Sequence, residues 1–387
     1  MTPKERMEAA LSGTLPDRVP FFPTIYIDHA CIACGRAFEE ALINPALGPS
    51  SMLGAALRYG ADAVRFGMGP DASWYREKRV EKESDKLVQY DTKSGRQEGF
   101  YDLAGGGGFI PHEAPRPVRS AADVARIEVP AAEEYLERGN LKDVTPCIEA
   151  AHANNLFAVG MCSSQTVNFM VAAMGSAEAA LISFLDAPEL ALTLINKAVE
   201  ISIEKGKALI RAGVDCLYIG DSYTSASVIS PDIYERFCIP AYREVAEEFH
   251  RLGAFCYKHC CGNYNPFLES FSRTGVDAMD GIDPTSGMTV AHTKKKIGRD
   301  TCLIGGLSCL TLLSGTPEQV YDEARRCIAA GKPDGRYVLG SACAVPRHTP
   351  PENLLAAHAA AVDHAVYARS GVDANRSQAA DGLQDAG

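Results

Sequence analysis

Eight short runs of apolar and β-branched residues recur along the 387-residue chain: Val19 to Ile27, Ala61 to Phe66, Leu156 to Met161, Cys216 to Asp221, Phe255 to His259, Ala278 to Ile282, Cys302 to Ile304 and Tyr337 to Leu339. Helical segments of fitting length separate most of them. Strands that alternate with helices build parallel sheets, and eight such units suffice for a closed (β/α)8 TIM barrel. The expected fold class is therefore α/β with that barrel architecture. A doubly wound sheet is the alternative, since a strand count does not establish closure.

Helix starts are marked in the sequence. Thr2-Pro3-Lys4-Glu5 is a capping box closed by Gly13, and the same device is expected at Thr316-Pro317-Glu318-Gln319 and at Thr349-Pro350-Pro351-Glu352, which would start the last helix. Ser230-Pro231 opens another helix that ends near Gly253. The connection between the second and third runs, about Gly67 to Asn155, is too long for one helix and carries turn residues and the run Gly105-Gly106-Gly107-Gly108. It reads as a small antiparallel insertion beside the barrel mouth. The glycines lack a P-loop lysine and read as a loop. Residues 1–370 are expected to form one domain, and residues 371–387, polar and without periodicity, a disordered tail.

A chain that is 46% hydrophobic can bury a large core, and its net charge of -11 is spread without any basic run beyond Lys294-Lys295-Lys296. Nucleic acid and anionic membrane surfaces are poor partners for it. Thirteen cysteines, irregularly spaced and mostly in apolar segments, do not form a secreted disulfide framework. With no apolar leader and no run of eighteen apolar residues, a cytoplasmic protein is expected.

The chemistry concentrates in Tyr257-Lys258-His259-Cys260-Cys261-Gly262-Asn263-Tyr264. Residues i and i+2 of an extended segment project to one side, so His259 and Cys261 can share a small ligand while Cys260 points away. Cys343 follows the eighth run. In a barrel of this type the loops after the strands converge at one mouth, which brings His259, Cys261 and Cys343 together. One imidazole and two thiolates suit Zn²⁺ and leave a fourth tetrahedral position open. Such a centre is a weak Lewis acid suited to binding a substrate thiol and removing its proton. Asp28, His29, Asp221, Tyr223 and Asn263 reach the same face as candidate substrate-binding or supporting residues, with Asp221 and Asp28 offered either as partners that orient His259 or as helix caps. A rival Cys31-x-x-Cys34 pair has no second such pair and reads as core packing.

These residues resemble a known family. His259-Cys260-Cys261-Gly262 with Cys343 is similar to the His-x-Cys-Gly…Cys zinc motif of the cobalamin-dependent methyltransferases in the uroporphyrinogen decarboxylase superfamily, including methylcobamide:coenzyme M methyltransferases. The likeness extends to Thr2-Pro3-Lys4-Glu5-Arg6, Pro16-Asp17-Arg18-Val19-Pro20, Asp28-His29-Ala30, Ser230-Pro231-Asp232-Ile233-Tyr234 and Thr349-Pro350-Pro351-Glu352-Asn353-Leu354. It implies a TIM barrel, zinc on His259, Cys261 and Cys343, and methyl transfer involving a corrinoid. No Asp-x-His-x-x-Gly cobalamin-binding pattern is present, so the corrinoid is expected on a separate protein that docks transiently. The resemblance implies a small second substrate, expected to be a thiol such as coenzyme M or a methylated or methoxylated donor. The resemblance has departures, with Ala344 where a glycine often follows the last cysteine and an extra thiol at Cys260. The decarboxylase branch resembles the chain less: its Arg-Gln-Ala-Gly-Arg segment is replaced by Thr24-Ile25-Tyr26-Ile27-Asp28-His29-Ala30. The two alternatives are a cofactor-free decarboxylase, and a non-catalytic barrel whose zinc is closed by Cys260 or an aspartate. A homodimer is compatible with a helix-covered barrel, although no interface is marked.

Overall fold

The computed structural model of the chain describes residues 1–162 and 165–367. Its strands are β1 (Ala63–Gly67), β2 (Lys78–Glu83), β3 (Lys86–Asp91), β4 (Gln97–Asp102), β5 (Gly108–Pro111), β6 (Phe157–Met161), β7 (Cys216–Gly220), β8 (Phe255–His259), β9 (Ala278–Ile282), β10 (Cys302–Leu307) and β11 (Tyr337–Ser341). Among the described residues they form a curled seven-stranded parallel sheet in the order β1-β6-β7-β8-β9-β10-β11 and a separate antiparallel sheet in the order β2-β3-β4-β5. The antiparallel sheet is the insertion expected between the second and third runs. The glycine run lies where β4 turns into β5. The proposed tail falls outside the described residues.

Seven of the eight runs are strands, and the first is not. Residues 20–25 make a single parallel bridge, Phe21 to Leu339, Ile25 N–H bends back to Pro23 O, and the chain turns into a helix at Ile27. Proline supplies the reason: Pro20 and Pro23 have no N–H to give to a ladder. What pairing survives runs from Phe22 N–H to Leu339 O and from Leu339 N–H to Pro20 O on one side, and from Asp62 N–H to Phe21 O on the other. The segment thus lies between β11 and the start of β1.

One device recurs at the strand entrances. Asp62, Asp215 and Asp277 each stand just before a strand, and each carboxylate accepts the backbone N–H of a residue in the preceding extended segment: Phe21 at 2.7 Å, Ala158 at 2.8 Å and Cys256 at 2.8 Å. The Phe21 segment therefore meets β1 as β6 meets β7 and β8 meets β9.

Side-chain alternation along the strands divides the core in two. Phe22, Ala63, Phe157, Val159, Cys216, Tyr218, Tyr257, Ala278, Cys302, Ile304 and Val338 form an inner cluster, joined by Met7, Ala10 and Leu11 of the first helix. The larger cluster joins the opposite strand faces to the helices. The Thr2 and Thr316 capping boxes form as expected. The one at Thr349 does not: the last helix runs Pro351–His364 with Pro350 at its cap and no side-chain bond there. A proline disfavours helical geometry in the residue before it, so Pro351 delays the start by one position and puts a residue without a side-chain acceptor at the cap. After Ser230, the helix Pro231–Ile233 passes through a π-turn, Tyr234–Cys238, before Ile239–Arg251. Pro240, which cannot donate to the helical ladder, accounts for that widening.

Candidate metal centre

His259 ends β8, and its register partner on β9 is Asp280. Cross-strand partners face the same way, which brings Asp280 Oδ2 to 2.9 Å from His259 Nδ1. Nε2 is left to face two sulfurs, Cys261 Sγ at 2.9 Å and Cys343 Sγ at 3.6 Å, and the sulfurs are 3.8 Å apart. The three donor atoms lie within 4.8 Å of one another, a grouping able to hold a metal ion. Two glycines permit it. A side chain at Gly281 (φ +96°) would sit 2.9 Å from Cys260 O and 3.1 Å from His259 Cε1, and Gly262 (φ +88°) turns the chain directly after Cys261.

A buried ion pair stands behind the histidine. Arg65, on β1, reaches Asp280 Oδ2 at 3.1 Å and the Tyr257 hydroxyl at 2.7 Å, and its guanidinium lies 4.9 Å from the ring centroids of both Phe22 and Tyr218. Burial opposes the charged form of His259, but the Asp280 carboxylate and the hydrogen bonds with Asp280 and Cys343 outweigh it, and the imidazole is pushed up to about 9. The two thiols behave as a pair. Hydrogen bonds from Cys261 and His259 favour a thiolate on Cys343 and lower its pKa, while Cys261, hydrogen-bonded to Cys343 and buried, is held above the ordinary thiol range.

Cys260 faces the other way, 2% exposed, with its thiol against Lys258 O and pushed up to about 12 by burial. It does not close the site as a fourth ligand. Asp221 does not orient His259 either. Its oxygens accept the Thr166 and Asn168 N–H groups and the Thr166 and Tyr242 hydroxyls, so it caps the helix Val167–Met174. Asp28 accepts its neighbour's N–H and pairs with Arg347 at 3.3 Å. His29 is fully buried between Arg347 O and the Tyr59 hydroxyl, and burial lowers its pKa. Tyr223 is exposed and docks on Asn168 through its N–H, and Asn263 accepts Asn265 N–H in a local turn. Among the described residues, none of these five hydrogen-bonds or ion-pairs with the trio through its side chain. The residues that the sequence reading missed, Asp280 and Arg65, had a signal: a charge inside a strand buried on both faces needs a partner. Cys31 is buried and the Cys34 thiol bonds Ser51 O, in keeping with core packing.

A profile described as uroporphyrinogen decarboxylase (URO-D) matches residues 105–364, well over half of the chain. The chain belongs to the uroporphyrinogen decarboxylase family. Its family relatives include a methylated-thiol:coenzyme M methyltransferase of Methanosarcina mazei, 32% identical over 44% of this chain and 43% of that protein. A uroporphyrinogen decarboxylase of Chlorobium phaeovibrioides is 28% identical over 55% of this chain and 60% of that protein. The chain thus spans about half the length of these curated relatives. Among solved structures, a methyltransferase from Methanosarcina mazei superposes with a TM-score of 0.71, covering 94% of this chain and 99% of that one at 23% identity, a likeness of fold. Membership of the uroporphyrinogen decarboxylase family thus spans both methyl-transferring and decarboxylating relatives.

Proposed function

We propose that this chain is a zinc-dependent methyltransferase that moves a methyl group between a small substrate and the cobalt of a corrinoid carried by a separate protein. The observation that carries this reading is the convergence of His259 Nε2 with the sulfurs of Cys261 and Cys343 while Asp280 occupies Nδ1. One imidazole and two thiolates suit zinc, and three protein donors leave a position for substrate. Zinc bound there would acidify a coordinated thiol or stabilise charge on a leaving atom. The chain's own residues prepare the site. Asp280 fixes the ring and leaves Nε2 as the donor, and Arg65 holds Asp280.

The names of the methyltransferase relatives support the reaction class, and the position of His259 at the end of β8 and of Cys343 just after β11 supports a site at the strand ends, where a barrel of this type does its chemistry. In the same reading, residues 20–25 are the eighth stave of the barrel and residues 1–370 are one domain. Thirteen free cysteines fit a reducing cytoplasm. Among the described residues no single helix is long and apolar enough to cross a membrane. A decarboxylase reading has relatives of that name in its favour, but it leaves the three converging ligands without a role.

The test is elemental analysis of protein purified without chelator, followed by methyl transfer from methylcobalamin to added thiols, read from the cobalamin absorbance. About one zinc per chain and metal-dependent demethylation are expected. A chain that stays metal-free after reconstitution with zinc under reducing conditions would sink the proposal.

A further inference from the structure

We propose that Lys258 is a positioning residue of the metal centre, holding both ends of the turn that carries Cys261. The proposal rests on the function proposed above and adds a residue to its machinery.

Lys258 breaks the pattern of its strand face. β8 sends Tyr257 and His259 to one side and Cys256, Lys258 and Cys260 to the other. Cys256 and Cys260 belong to the large apolar cluster between the sheet and the helices, and Lys258 is fully buried on that side with them. A methionine would fill similar space among such neighbours, so packing alone does not call for an amine here. Lysine is seldom buried without a carboxylate, yet among the described residues the Lys258 ammonium bonds only neutral oxygens.

Those oxygens are specific. Nζ donates to the Thr224 hydroxyl at 3.2 Å, the Tyr264 hydroxyl at 3.2 Å and the backbone carbonyl of His259 at 3.1 Å. It also lies 4.7 Å from the ring centroid of Tyr242 and 5.4 Å from that of Tyr264. The proton directions close without conflict. Thr224 gives its hydroxyl proton to Asp221 O at 2.7 Å, so Tyr264 donates to Thr224 at 2.5 Å, and both hydroxyl oxygens keep a lone pair for the ammonium.

Two of the three acceptors bracket Cys261. His259 O opens the turn and the Tyr264 hydroxyl closes it, and between them Gly262 holds φ +88°. The third acceptor, Thr224, lies in the loop after β7, which also receives the turn through the bond from Ala226 N–H to Asn263 O at 2.9 Å. One ammonium thus fixes the start of the turn, its end and its neighbouring loop. Cys261 depends on that frame. Among the described residues its thiol bonds only His259 Nε2 and Cys343 Sγ, the other two members of the trio. The position of its sulfur is therefore set by the turn and not by a side-chain anchor of its own.

The test is spectroscopic. Cobalt(II) can stand in for zinc in a site of this kind, and each coordinated thiolate adds sulfur-to-cobalt charge-transfer absorbance. Cobalt(II) titrated into the full-length protein is expected to give a two-thiolate band in the wild type and about half that intensity per bound ion in Lys258→Met. Zinc affinity in a competitive chelator titration should fall about 10- to 100-fold in the same variant. Tyr264→Phe keeps the ring, frees only the far end of the turn, and should show a smaller loss of both in the same direction. It decides the matter if Lys258→Met does not fold. A core residue with no positioning role would lower the melting temperature alone. Wild-type band intensity per ion and wild-type zinc affinity in every variant that folds would therefore overturn the assignment. Failure of the parent function reads differently: a wild-type chain that binds neither cobalt nor zinc removes the metal centre and this inference with it. A two-thiolate band in wild type and variants alike keeps the centre and removes Lys258 alone.

Discussion

At the entrance to β8, His250 Nε2, Cys256 Sγ and Asp277 Oδ2 come together, and at its exit His259 Nε2 meets Cys261 and Cys343. The two ends carry similar residue types in different arrangements. At the entrance the carboxylate lies on the same imidazole nitrogen that faces the thiol: Asp277 Oδ2 is 2.9 Å from His250 Nε2 and also accepts Cys256 N–H, while the sulfur is 3.9 Å from Nε2. The thiol is fully buried, and burial holds its pKa well above the ordinary value. The same brace recurs where His152, at 3.0 Å, and Ala158 N–H share Asp215 Oδ2, with no cysteine involved. The entrance grouping is thus a helix-to-strand tie. At the exit the carboxylate takes the far nitrogen, Nδ1, and the near one is left open to two sulfurs. Which nitrogen the aspartate occupies separates a brace from a candidate ligand set.

Removing a ligand is the strongest way to break this comparison. On the proposed function, Cys343→Ala or His259→Ala should abolish stoichiometric zinc and zinc-dependent turnover while circular dichroism stays that of the folded chain. Equal metal content in the variants and wild type would place the ion elsewhere. Next in size is Asp280→Asn, which should weaken zinc by about 10- to 100-fold in a competitive chelator titration. It should also cost about 3–5 kcal/mol in denaturant unfolding, because Arg65 would keep its charge in the protein interior without a carboxylate. An unchanged midpoint would show that Arg65 does not need that partner.

At the entrance, Cys256→Ala should leave the zinc content untouched and cost about 1 kcal/mol, an ordinary core effect. Loss of metal in that variant would make the entrance a second site. The smallest effect is a pH dependence. The hydrogen bond with Asp277, aided by its charge and opposed by burial, raises the pKa of His250. A histidine whose folded pKa exceeds its unfolded value of about 6.5 stabilises fully below that value and loses the contribution as pH rises through the folded pKa. His250→Gln should therefore destabilise more in mild acid than in mild alkali. A penalty that grows with pH would reverse the sign and refute the tie.

Much of this molecule is legible along the chain because periodicity is a local property. The seven parallel strands stand where apolar runs predict them, and the long connection between the second and third runs does fold as an antiparallel insertion. Alternation alone put His259 and Cys261 on one side with Cys260 on the other, and Cys260 is indeed turned into the core. The choice of supporting carboxylate was not legible in the same way. Asp28 and Asp221 stand at the ends of apolar runs, which makes both candidates, yet Asp221 is consumed by a helix cap and Asp28 by Arg347.

The sequence by itself determined the α/β alternation, the side on which each residue of the Tyr257–Tyr264 stretch projects, and the placement of Cys343 after the last run. Each follows from the two-residue repeat of an extended chain and the order of its elements. Tertiary structure decided that the proline-bearing first run makes one bridge and no strand, that Asp280 and Arg65 stand behind His259, and that the Lys258 ammonium meets Thr224 and Tyr264. These depend on register between strands and on how the loops pack, and residues far apart in sequence fix both.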